Sequence, residues 1–178
     1  MKKYVLILAA VSIFFSGTAF AMDYQHKLEA KDMEVYWTID KDQIHVKLSA
    51  KTTGWVAIGF DPEDAMQGAN IIIGAVKDGK VRIEDHYGDR KRGHSPDEKL
   101  GGKNDVLNPA GEEIDGVTTI SFSLALDTKE KWDKPIHAEG MSRMMIAYGS
   151  GQDSFSARHK YKALYEINYT TGETKQID

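Results

Sequence analysis

The sequence predicts an all-β fold, an antiparallel β-sandwich, on three observations. Apolar and polar residues alternate with period two along most of the chain, turn-forming clusters interrupt that alternation at short intervals, and no stretch sustains a helical period. About nine short strands separated in this way suit two packed sheets. Internal repeats and low-complexity segments are absent from the sequence.

The first 21 residues are set apart from the fold. Lys2 and Lys3 form a basic start, residues 4–15 are an apolar run, and Ala19-Phe20-Ala21 is a small-x-small cleavage signal. That is the pattern of a secretory signal peptide, and its apolar run is short for a membrane span. The expectation is an exported, secreted or periplasmic protein with one domain over residues 22–178 and no membrane span in the mature chain. Without Lys2 and Lys3 the formal charge moves from -4 to -6. An acidic balance of this kind argues against a nucleic-acid partner. The chain has no cysteine. A thioether-linked haem, a thiolate iron–sulfur cluster and a blue-copper site are therefore excluded, and the core must hold the fold without disulfides.

Taken in order, residues 33–39 alternate as a strand and stop at Asp40-Lys41-Asp42. Ile44, Val46 and Leu48 share one face of the next strand, which places His45 outward beside Lys47. Residues 54–60 and 70–76 are apolar on both faces, the mark of a central position in a covered sheet. Asp78-Gly79 suits a primed hairpin turn. On the return strand Val81, Ile83 and Asp85 share one face and Arg82, Glu84 and His86 the other. From Gly88 to Pro109 the alternation disappears, so a long irregular loop is expected, either a lid or a disordered segment. Ile120, Phe122 and Leu124 mark one face of a further strand. Residues 127–132 suit a short helical turn, residues 143–148 a strand, residues 149–153 a flexible loop and residues 164–169 a last strand.

Hydrolase, metalloprotease and phosphate-loop signatures are absent. None of the six histidines has paired metal-ligand spacing. His86 and His94, with Asp85 and Asp89, could gather round a divalent ion, although surface positions are the plainer reading. Met66 sits in a tight polar loop between the two densest apolar strands, and His159 lies late in the chain between Arg158 and Lys160. Methionine sulfur and histidine nitrogen are axial ligands that haem iron accepts. By spacing alone, a lone methionine in a loop is packing or surface far more often than a ligand, and a lone histidine is usually satisfied within the protein.

The order of segments adds to this. Gly54-Trp55-Val56-Ala57-Ile58-Gly59-Phe60, the Met66 loop, the strand at residues 71–76, the Gly79 hairpin and Asp85 come first. Ile120-Ser121-Phe122-Ser123, Met145-Ile146-Ala147-Tyr148-Gly149 and His159 follow. Together, over residues 30–169, they resemble the DOMON family. The resemblance implies an immunoglobulin-like sandwich that binds haem or a sugar. It is similar to the cytochrome domain of cellobiose dehydrogenase and the γ subunit of ethylbenzene dehydrogenase. It implies one non-covalent haem b with Met66 and His159 as the metal ligands and Lys160 as a lesser alternative to the histidine. Trp55, Phe60, Ile72, Met144, Tyr148 and Phe155 are candidate pocket walls, and Arg143 and Arg158 candidate partners for the haem propionates. The implied role is one-electron transfer with a redox partner protein, without catalysis of its own. The alternative is a sugar or other small-ligand module using the same pocket without haem, with Trp55, Tyr148 and Tyr161 stacking on the ligand.

Overall fold

Strong apolar faces on β4 (Val56–Phe60) and β5 (Asn70–Lys77) set the architecture. In the computed structural model, which describes residues 22–178, they pair antiparallel at the centre of a seven-stranded sheet. Its order is β12 (Thr174–Gln176), β11 (His159–Ile167), β10 (Ser142–Gly149), β4, β5, β6 (Lys80–Arg90) and β7 (Gly93–Pro96). A five-stranded sheet faces it. That sheet runs β1 (His26–Ala30), β2 (Met33–Asp40), β3 (Gln43–Ala50), β9 (Val117–Ala125) and β8 (Leu107–Ile114). All pairings are antiparallel. The proposed leader, residues 1–21, lies outside the described residues.

The alternation fixes which side chains fill the space between the sheets. Val35 and Trp37 of β2, Ile44, Val46 and Leu48 of β3, and Ile120, Phe122 and Leu124 of β9 project from one sheet. They meet Val56, Ile58 and Phe60 of β4, Ile72 of β5, and Met144, Ile146 and Tyr148 of β10 from the other. Trp37 and Tyr169 close one end. Their rings meet edge-on at 6.4 Å, and the Trp37 Nε1–H donates to the Tyr169 carbonyl at 2.9 Å. A buried indole keeps its polar handle satisfied in this way.

Turn chemistry holds the register. Asp78 and Gly79 take φ of 50° and 71°, as a two-residue primed turn requires, and Lys77 stands opposite Lys80. Asp115 and Gly116 make the same turn between β8 and β9, with φ of 51° and 76°.

The irregular loop expected over residues 88–109 is largely regular. β6 continues to Arg90, β7 folds back on it, the four-residue α1 (Asp97–Leu100) follows, and β8 begins at Leu107. Mixed charge hid these elements: β7 and β8 are edge strands, β8 is exposed along almost its whole length, and only the end of β6 beyond Gly88 is exposed. β8 is exposed at every residue but Gly111, pairs only with β9, and has a bulge between Leu107 and Ala110 around Pro109. No helix forms at residues 127–132. Side-chain hydrogen bonds shape that connector, with the Thr128 hydroxyl donating to Asp133 at 2.7 Å and the Glu130 carboxylate accepting from the Trp132 N–H at 3.1 Å.

Ile72→Ala removes a fully buried side chain between the sheets. It should destabilise the protein by about 2–5 kcal/mol, whereas Leu107→Ala on exposed β8 should change little. Urea unfolding of the two variants beside wild type checks the contrast.

Candidate functional site

The outward face of the seven-stranded sheet is also apolar at its centre. β4 and β5 alternate, so Ala57 and Gly59 point away from the sandwich interior, as do Ile71, Ile73 and Ala75. Trp55, Ala57, Ile73, Ala75 and Phe155 form a second buried cluster, with Ala147 packed beside it. The floor is low because its residues are small. A Cβ on Gly59 would stand 2.4 Å from Cε of Met145, whose side chain lies across that position.

The loop between β10 and β11 covers this floor. Phe155 is its cover, and the Arg82 guanidinium stacks 3.7 Å from the Phe155 ring centre. Arg82 Nη2 also donates to the Asp153 carbonyl at 3.1 Å. At the base of the loop the Trp55 N–H donates to the Gln152 carbonyl at 3.3 Å. A Cβ on Gly54 would come within 2.7 Å of the Gln152 nitrogen, so backbone meets backbone there. The Trp55 indole N–H is buried and has no partner among the described residues. It is a donor left free beside an apolar floor.

Met66 and His159 stand at opposite ends of this face. Met66 lies in the β4–β5 loop, beyond the rung formed by Phe60, Asn70 and Met144. Its backbone is anchored at both poles. The Met66 N–H donates to the Lys91 carbonyl at 3.2 Å, and its carbonyl accepts from the Ala69 N–H at 3.1 Å. Gly88 lies directly beneath, where a Cβ would fall 1.6 Å from the Met66 oxygen. His159 opens β11 on the Gly149 rung, at the other end, and is exposed. Five rungs separate Met144 from Gly149 on β10, on the order of 17 Å at the usual rise. The register therefore does not make the two residues neighbours. It brings their loops in from opposite ends of one apolar face.

The wall residues divide by parity. Trp55 and Phe155 belong to the outward cluster. Phe60, Ile72, Met144 and Tyr148 do not, because they lie on the inward face within the main core. Phe60 packs its ring 5.9 Å from that of Tyr169 and Tyr148 its ring 5.5 Å from that of Tyr161. These four are corrected from pocket wall to sandwich core. The reading of Tyr148 and Tyr161 as stacking platforms for an outer ligand is corrected with them. Arg143 and Arg158 are exposed.

His86 and His94 also differ from their expected place at the surface. His86 is 4% exposed on the outward face of β6, and His94 of β7 packs against it with ring centres 4.8 Å apart. Their Nδ1 atoms are 2.8 Å apart, and His86 Nε2 lies 3.0 Å from Glu84 Oε2. With Glu84 accepting from Nε2–H of a neutral His86, Nδ1 of that ring must accept, so His94 carries its proton on Nδ1. Burial lowers the pKa of both rings. His94 falls to about 4, with the neighbouring His86 as the second cause and Asp89 acting in the opposite direction. Asp85 points to the other side of the sheet, so the alternative of these residues gathering round one ion does not form either. The signal available in sequence was the shared parity of Glu84 and His86 on a strand beside the apolar β5.

The chain matches the family described as DOMON domain over residues 29–149. It is 30% identical over 125 residues to "DBH-like monooxygenase protein 1" of Homo sapiens, covering 70% of this chain and 19% of that protein. It is 27% identical over 106 residues to "MOXD1 homolog 2" of Drosophila melanogaster, covering 59% and 14%. The chain thus spans a fifth or less of the length of these relatives. Among solved structures, the cytochrome b domain of pyranose dehydrogenase from Coprinopsis cinerea superposes with a TM-score of 0.64 at 14% identity, covering 83% of both chains. That likeness is one of fold.

Gly88→Ala should dislodge the Met66 loop, with a loss of a few kcal/mol in urea unfolding as overpacking against fixed backbone requires. In a pH titration followed by NMR, His94 should stay neutral through pH 6 and protonate near pH 4. Its folded value lies below that of an unfolded histidine, about 6.5. As the pH falls through that window the unfolded chain binds a proton that the folded ring refuses, so this ring's contribution to stability is lost from about pH 6.5 downward. An ordinary titration near 6.5 would contradict the buried pair.

Proposed function

The chain belongs to the DOMON domain family, and from that premise we propose that it is an exported b-type cytochrome domain holding one non-covalent haem across the outward face of the seven-stranded sheet. The carrying observation is the second apolar cluster, bounded at one end by the Met66 loop and at the other by the loop leading into His159. An apolar macrocycle needs an apolar surface, and Ala57, Ile73, Ala75 and Ala147 supply one, with the Met145 side chain lying over Gly59 beside them. With no cysteine in the chain, attachment is non-covalent.

Met66 and His159 would be the iron ligands in this reading once the β4–β5 and β10–β11 loops bring them in from opposite ends of the face to the two sides of one ring, and Arg158 would offer positive charge beside the histidine. Haem iron bound by methionine and histidine supplies a one-electron couple at a raised potential and keeps no open position for a substrate. The chain's own part is to exclude water and to hold the two ligand side chains. Phe155 shields the floor from the same loop that leads into His159, so cover and ligand would belong to one segment. Gly88 and Lys91 hold the methionine loop from below. A domain of this kind passes electrons to or from a partner redox protein.

The test is a visible spectrum of the purified chain after addition of haemin. Wild type should show a Soret band and sharp reduced α and β bands. Met66→Ala and His159→Ala should each broaden or abolish those bands and shift the midpoint potential. If both variants keep the wild-type spectrum and potential, the ligand assignment fails. If wild type takes up no haem, the face serves another small ligand, and the sugar reading replaces this one.

A further inference from the structure

Across the sheet from the histidine pair lies a cluster that the haem reading does not use. Asp85 is 2% exposed on the inward face of β6, and Asp97 is fully buried at the start of α1. Asp133 comes from the connector between β9 and β10. One oxygen from each of the three lies within 4.8 Å of the others. Asp105 and Glu130 form a second such group with the same Asp133. Neither oxygen of Asp85 or Asp97 has a hydrogen-bond partner among the described residues. The Asp105 backbone N–H lowers the Asp85 pKa without forming a hydrogen bond to it. The ion pairs among the described residues include none of these five carboxylates.

An uncharged group points into the same space. Asn70, 3% exposed, donates from Nδ2 to Asp133 Oδ1 at 3.0 Å, which fixes its amide in the cluster. Its Oδ1 is buried and has no partner among the described residues. A buried amide oxygen on a side chain anchored to one of the carboxylates thus lacks a donor, and no ion pair among the described residues brings an amine to the cluster. A cation would satisfy all of these oxygens together.

We propose that Asp85, Asp97 and Asp133, with the Asn70 amide oxygen, bind one calcium-sized divalent cation that fastens the 97–106 and 127–136 connectors to the sheet. The donor set is oxygen only, which suits a hard cation rather than zinc or copper. Calcium–oxygen bonds of about 2.4 Å allow ligand oxygens on opposite sides of the ion to stand about 4.8 Å apart, the limit that the three carboxylates respect. Magnesium requires a tighter octahedron and keeps much of its water, so it fits such a cage less well. Burial, with repulsion among the carboxylates second, raises Asp85 to about 9 and Asp97 to about 7. Burial also raises Asp133, to about 6. A cation would offset that repulsion. The connectors already meet at this point, where Trp132 Nε1–H donates to the Leu100 carbonyl at 3.0 Å and stacks 5.4 Å from Tyr87. Lys134 then ties the second connector to Glu63 at 2.6 Å, so the ion would also steady the Met66 loop.

The experiment uses the purified chain, stripped with EDTA and unfolded thermally in EDTA, Ca²⁺ or Mg²⁺, with no haem readout. At Ca²⁺ about 100-fold above its Kd, the Tm should rise by about 5–10 °C, with a clearly smaller rise in Mg²⁺. Calorimetric titration should find one Ca²⁺ per chain. Asp97→Asn should abolish the Ca²⁺ shift while its Tm in EDTA equals or exceeds that of wild type, because a repelling buried charge has been removed. Glu112→Gln, exposed on β8, should keep the full shift. If Asp97→Asn fails to fold, Asp133→Asn makes the same comparison. Equal wild-type Tm in EDTA and Ca²⁺ with no calorimetric binding overturns the proposal, as does an undiminished Ca²⁺ shift in whichever aspartate variant folds.

Discussion

The two-sided burial of β4 and β5 governs this molecule. Every residue of β4 is buried, and so is every residue of β5 before Lys77. A strand pair of this kind needs cover on both faces. The five-stranded sheet supplies it inside, and the β10–β11 loop supplies it outside through Phe155. The outer cover consists of a loop and a few contacts, whereas the inner is an interdigitated core. The two sides therefore differ in how readily they yield. The inner face carries stability, and the outer face is where a ligand can compete with a side chain of the protein itself.

Much of this was legible in the sequence, and parity explains both the successes and the errors. The alternation of Ile44, Val46 and Leu48, and of Ile120, Phe122 and Leu124, placed two strands and their inward faces. The Asp78-Gly79 turn fixed a hairpin and its register. The same counting, carried across the β4–β10 pairing, separates Trp55 from Phe60 and Tyr148, which cannot line one pocket. The outward face carries small residues such as Ala57 and Ala75, which no aromatic pattern in the sequence marks. Asp115-Gly116 has the same turn chemistry but does not read as a hairpin in the sequence, because β8 on its far side is so exposed that no apolar pattern points to it.

The polar clusters were harder to see because they depend on tertiary contact. Asp85 shared a face with Val81 and Ile83 in the sequence, a carboxylate where the strand turned inward. What that carboxylate meets comes from Asp97 and Asp133, which lie in segments without periodicity. His86 was outward by parity, yet buried because β7 folds back beside it. Edge strands and connectors thus determine the chemistry on both sides of β6, and they are the parts that hydrophobic patterning describes least.

The exposed strand β8 has a consequence for how copies of the protein treat one another. A free sheet edge is a template for strand addition, and a chain without cysteine has no covalent staple to keep a partly opened sandwich from pairing with its neighbour. Here the outer edge is interrupted by Pro109, which has no N–H to offer, and by the bulge between Leu107 and Ala110. Glu112 and Glu113 follow, so a second copy in the same register would bring like charges together. The strand least needed for the core thereby acts as a guard against polymerisation. Protection of that edge rests on a few exposed residues that contribute nothing to the buried core.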